Sequence, residues 1–132
     1  MKQKNKNEGK GVERRKATRI EKKLSITLKG DAVTQVTETK NISGSGTFCQ
    51  VSQPIPELSK LEVTLFVPVM GGKKTDLEKI DCTGVVVRSE KIIRGDGAPE
   101  KFFIAIYFTN VRPGDRNTLD RYIAYQLAQE TA

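Results

Sequence analysis

Around residue 26 the chain alternates: Leu24, Ile26 and Leu28 are apolar, while Ser25, Thr27 and Lys29 are polar. A period of two marks a strand with one buried face, and Gly30-Asp31 ends it. A second strand over residues 33–41 is rich in Thr and Val, and a third over 47–52 follows the turn Ser43-Gly44-Ser45-Gly46. Pro54 and Pro56 then interrupt the pattern. Leu61, Val63, Leu65 and Val67 define a fourth strand, closed by Pro68 and Gly71-Gly72. A fifth covers residues 80–89. After a turn at 94–99, a sixth covers 102–109, with Ile104, Ile106 and Phe108 on one face. Only beyond Pro113 does the period change. Leu119, Tyr122, Ile123 and Leu127 are spaced by three and four, one stripe of a helix that Pro113 can open. Short strands joined by turns and followed by one amphipathic helix predict an all-β fold, a small six-stranded antiparallel β-barrel with a C-terminal α-helix packed on it.

The 132 residues suffice for one domain with its own core. The longest apolar stretch, residues 63–70, is too short for a bilayer span, and the N-terminal residues lack the apolar segment of a secretory signal. Two cysteines, Cys49 and Cys82, are too few for a disulfide framework or a cysteine metal site. The expectation is a cytoplasmic protein with buried, reduced thiols, no metal and no membrane span. There is no histidine. That removes Ser-His and Cys-His nucleophile pairs and the usual metal ligand sets. No paired-carboxylate or phosphate-loop motif replaces them, so the reading is of a protein without catalytic residues.

Charge sharpens this reading. Residues 1–23 hold ten basic and three acidic side chains, which accounts for the whole net charge of +7; the rest of the chain is neutral. A basic arm on a neutral body points to an anionic partner, most simply one bearing phosphates. For residues 1–13 a solvated, disordered tail is the plainer reading, with the folded domain spanning 14–132.

Two motifs flank the first two strands. Arg15 and Arg19 form an R-x-x-x-R with Arg14 directly before it, and Asn41, Ser43 and Gly46 form N-x-S-x-x-G at the end of the second strand. If those strands make a hairpin, the motifs converge. Arginine pairs with phosphate oxygens or with guanine O6 and N7, and its flat face stacks on bases. The Asn41 amide can accept from a base N–H, Ser43 offers a hydroxyl, and Gly46 permits close backbone approach. Such a set suits a ligand that carries both guanines and phosphates. Each motif alone is common as a solvated basic run or a capped turn; the ordered pair is more specific.

Together these residues resemble the PilZ domain family. The likeness extends to Gly84-Val85-Val86-Val87-Arg88, to a late strand over residues 103–108, and to Arg112-Pro113-Gly114-Asp115-Arg116 followed by Leu119, Arg121, Tyr122 and Ile123. The resemblance implies a split-barrel fold and binding of cyclic di-GMP, the bacterial second messenger, without catalysis or cofactor. It implies that Arg15 and Arg19 engage guanine edges and phosphates, that Arg14 adds a stacking or phosphate contact, and that Asn41 and Ser43 hydrogen-bond the ligand beside Gly46. Arg88 stands where some members offer a side chain to a guanine face. Asn41 replaces the Asp of many members, and Ser45 replaces a common second glycine. The implied output is a contact with a downstream protein in motility, biofilm or virulence control, by a monomer or a ligand-dependent dimer. No specific DNA is expected. The rivals are an adaptor that binds no ligand and a β-barrel binder of single-stranded nucleic acid. Against the latter, aromatics are only 6%, Trp is absent, and Phe102, Phe103, Tyr107 and Phe108 are assigned to the core or to helix packing.

Overall fold

A computed structural model describes residues 18–31, 34–69, 76–92, 95, 97 and 100–131. Six strands, β1 (Ser25–Lys29), β2 (Thr34–Ile42), β3 (Gly46–Val51), β4 (Lys60–Pro68), β5 (Leu77–Ile92) and β6 (Lys101–Asn110), precede one helix, α1 (Pro113–Thr131). They close into an antiparallel barrel in the order β1-β2-β3-β6-β5-β4. Closure removes the exposed sheet edges that a short open sheet would carry. Val33, Arg14, Arg15 and the segment 1–13 lie outside the described residues.

The alternation seen in the sequence is the inside and outside of this barrel. Ile26, Leu28, Leu61, Val63, Leu65, Val67, Ile104, Ile106 and Phe108 all fill its interior. The helical stripe closes one end, with Leu119, Tyr122 and Ile123 buried and Leu127 packed against them. Thr118 Oγ1 donates to Glu78 of β5 at 3.1 Å, tying the helix to that rim. Among the described residues no helix is long and apolar enough to cross a membrane.

β5 is the departure from the sequence reading. It runs three residues beyond the predicted span at each end, because polar residues there are held by cross-strand pairing rather than by burial. Its first half pairs with β4, from Leu77 opposite Pro68 to Val85 opposite Lys60. Its second half pairs with β6, as far as Ile92 opposite Lys101. Register shifts at Thr83/Gly84 and Val86/Arg88 let this long strand bend from one neighbour to the other.

Both cysteines are buried and free. Burial pushes the Cys49 thiol from 9.0 up to about 12, a hydrogen bond involving Thr47 only partly offsetting it. Burial, then Asp115 and Asp81, push Cys82 up to about 11, with Arg116 opposing. Neither thiol is expected to react rapidly with a disulfide reagent at pH 8, and both should react once the chain is denatured. Fast labelling of the native protein would contradict their burial. Because the folded values lie above the unfolded one, the stability these thiols contribute is complete below pH 9. It is lost as pH rises through 11 and 12, so urea midpoints should fall above pH 9.

Candidate functional site

The described end of the first motif, Arg19, lies beside the second. Ile20 and Ile42 form an isolated antiparallel bridge in which each backbone N–H donates to the other's carbonyl at 2.9 Å. One residue further out on each chain are Arg19 and Ser43. Thr39 secures the same approach: its hydroxyl donates to Lys22 O at 2.6 Å and accepts from Leu24 N at 2.9 Å. Residues 18–24 are therefore laid along β2 before β1 begins. Ile20 is buried and Arg19 exposed, so the bridge anchors the backbone while the guanidinium side stays in solvent.

The turn between β2 and β3 is built by Ser43. Its N–H donates to Gly46 O at 2.9 Å, and its hydroxyl accepts from the N–H groups of Ser45 and Gly46, each at 3.2 Å. Ser43 is only 2% exposed, so its hydroxyl serves the turn first. The close approach expected at Gly46 is made by β6. A Cβ at this position would sit 2.2 Å from the backbone oxygen of Ile106, so only glycine lets β3 lie this near β6. Two longer-range bonds hold the turn: Phe108 N donates to Ser45 O at 2.9 Å, and Arg116 of α1 donates to Gly44 O at 2.8 Å.

Asn41 is half-buried, and its Oδ1 is buried with no hydrogen-bond partner among the described residues. An unpaired buried acceptor costs roughly 1–3 kcal/mol, and it is satisfied by any ligand N–H that reaches it. Register then places Arg88 on the same outer row. Asn41 lies opposite Phe48, Phe48 opposite Ala105, and Ala105 opposite Arg88. Cross-strand partners share a face, so Asn41 and Arg88 stand at the two ends of a floor made by Phe48 and Ala105, about 14 Å long at three strand spacings. The Arg88 guanidinium is held by Glu90, with Nε 2.9 Å and a terminal nitrogen 2.8 Å from Oε2, on a largely exposed surface. Arg14 and Arg15 fall outside the described residues.

The aromatic assignment needs correction. Phe102 and Phe108 are buried, but Phe103 and Tyr107 alternate with them and face outward. Phe103 stacks on Phe48 with ring centroids 5.0 Å apart, and the Lys40 ammonium lies 5.2 Å above the Phe103 ring. Tyr107 is 54% exposed. It borders a depression of about 500 Å3 with Thr18, Gly44, Ser45, Arg116 and Asp120. Apolar residues occur in both phases of β6, so alternation alone cannot say which set faces the barrel interior. A depression of similar size, about 490 Å3, lies beside Lys29, Lys60, Thr83 and Thr109 and contains no residue of the R-x-x-x-R or N-x-S-x-x-G motifs.

These features define a class: a closed six-stranded barrel capped by a C-terminal helix, with Arg19 brought beside the asparagine motif at one end of β2. The family profile of the PilZ domain matches residues 13–125, and the chain belongs to this family. Solved structures with the same fold include the Bacillus subtilis inhibitor of motility MotI/DgrA, with 17% identity and a TM-score of 0.68 over 86% of this chain and 52% of that one. The PilZ domain of Escherichia coli YcgR, solved with c-di-GMP, has 18% identity and a TM-score of 0.59 over 89% of this chain and 94% of that domain. MrkH from K. pneumonia in its apo state has 18% identity and a TM-score of 0.63, over 89% of this chain and 51% of that one. The chain thus spans about half the length of MotI and MrkH. A search of curated proteins finds no match.

Proposed function

We propose that this chain is a non-enzymatic cyclic di-GMP receptor. The observation that carries the reading is the Ile20–Ile42 bridge, which brings the end of R-x-x-x-R beside N-x-S-x-x-G and its unpartnered Asn41 acceptor. Membership of the PilZ family and the likeness to a YcgR domain solved with c-di-GMP support the choice of ligand. Arg15 and Arg19 engage the guanine O6 and N7 edges and the phosphates, while Arg14 adds a stacking face. Asn41 Oδ1 accepts from guanine N–H groups. Arg88 reaches a guanine face only if it leaves Glu90. Ser43 and Gly46 act by shaping the turn.

In this mechanism residues 1–13 are a solvated basic tail, and the domain proper begins at Arg14. Ligand draws Arg14 and Arg15 onto the barrel, and the altered surface is read by a partner protein in the cytoplasm. The motility inhibitor among the similar structures makes motility control a fitting output. The outward aromatics Phe48, Phe103 and Tyr107 also give the single-stranded nucleic-acid reading a stacking surface. The motifs nonetheless favour the dinucleotide.

Calorimetric titration distinguishes the two. Cyclic di-GMP is expected to bind at micromolar Kd or tighter, with no heat from GTP, cyclic di-AMP or a mixed-sequence DNA oligonucleotide. The molar ratio reports whether one ligand or a stacked pair is held. Salt-sensitive binding to the oligonucleotide with indifference to cyclic di-GMP would replace the proposal with the nucleic-acid reading.

A further inference from the structure

The Gly44 carbonyl sits in a largely buried turn where several other polar groups are already engaged. Ser43 N, Ser45 N and Gly46 N are bonded within the turn, and Ser45 O accepts from Phe108 N. The Gly44 oxygen receives its hydrogen bond from Arg116, 72 positions away in the sequence, at 2.8 Å. A carbonyl left unpaired at a buried position is unfavourable, and a guanidinium donor gives a strong, charge-assisted bond. Arg116 is itself half-buried. It projects from the first turns of α1, whose Leu119, Tyr122 and Ile123 are locked in the barrel end. The turn Ser43-Gly44-Ser45-Gly46 consists of small residues with little packing of their own. Beyond the bonds that Ser43 makes within it, the turn is held from outside by β6 on one side and α1 on the other.

We infer that Arg116 is a positioning residue for the ligand site. By clamping Gly44 it fixes the turn, and through the turn it fixes Asn41 and the Ile42 backbone on which residues 19 and 20 rest. The inference builds on the ligand reading above. Coupling of this kind is reciprocal. A ligand seated against Asn41 and Arg19 tightens the Arg116–Gly44 contact, so occupancy is felt by α1. The helix flank that receives it, Asp120, Ile123 and Ala124, borders the same depression as Thr18 and Ser45. α1 is then the element through which the ligand alters the protein's outer surface.

The test uses the full chain as wild type, Arg116→Ala and Arg116→Lys. Amide hydrogen exchange is followed by NMR alongside cyclic di-GMP titration. Arg116→Ala should speed exchange at Ser45 and Gly46 by about tenfold while Leu28, Val63 and Ile104 amides keep their protection. Its affinity should fall by about tenfold, and Arg116→Lys, which retains a charged donor, should recover most of both. Unchanged exchange at Ser45 and Gly46 in Arg116→Ala would overturn the clamp. So would faster exchange spread uniformly over the barrel, which marks a merely structural role. If wild type itself binds no cyclic di-GMP, the receptor reading and the link to ligand fail. The exchange data would then still decide whether Arg116 fixes the turn.

Discussion

Arg19→Ala is expected to weaken cyclic di-GMP binding by about 10- to 100-fold, the loss of roughly 1–3 kcal/mol that a bidentate arginine contact to guanine carries. The fold should be indifferent to the change. Arg19 is exposed, and the backbone beside it is held by the two Ile20–Ile42 hydrogen bonds and by burial of the Ile20 side chain. Exposed truncations of this kind stay within about 0.5 kcal/mol in stability. Affinity and stability thus separate cleanly at this position. Arg19→Lys should fall between wild type and alanine, since it preserves charge but not the planar fork. Calorimetry on the three proteins reads the effect, and wild-type affinity in Arg19→Ala would remove this residue from the site. The same substitution at Arg15, the other end of the motif, is expected to act alike.

The largest effect on stability is expected from Gly46→Ala. The added Cβ would lie 2.2 Å from Ile106 O, a backbone atom that no rotamer change can move. Relief requires β3 and β6 to part, which sacrifices the Gly46–Tyr107 pairing and strains the bond from Phe108 N to Ser45 O. Overpacking against backbone should cost about 2–4 kcal/mol, or roughly 10 °C in Tm for a domain of this size. Gly114→Ala is the matched control. A Cβ there meets nothing within 4 Å, and alanine favours a helix. Thermal and urea unfolding of both variants should show the contrast. A Gly46→Ala protein as stable as wild type would mean that the strands are not packed as described.

Much of the fold is legible in the sequence because one physical rule governs it. A strand with one face in the core and one in water must alternate, as the residues around Ile26, Leu65 and Ile104 do. The helix that caps the end must repeat at three and four, as Leu119, Tyr122, Ile123 and Leu127 do. Legibility fails where burial is not what holds a segment. The polar ends of β5 are strand because β4 and β6 pair with them. In β2 one extra residue separates the Thr39–Cys49 and Asn41–Phe48 pairs, and no composition signal marks that bulge. β6 is apolar in both phases, so alternation alone does not separate its outward Phe103 and Tyr107 from the residues of the core.

The candidate site divides in the same way. Its residue types and their order along the chain, Arg15 and Arg19 and then Asn41, Ser43 and Gly46, belong to the sequence, because chemistry and local turn geometry are properties of neighbouring residues. Closure of the barrel decided the rest. It brought Arg88 onto the row of Asn41 across two intervening strands, pressed Gly46 against the Ile106 backbone, and set Arg116 on the Gly44 carbonyl. Those relations join residues tens of positions apart. Only the register of a closed sheet and the seat of a packed helix can specify them, and neither is written in any local stretch of the chain.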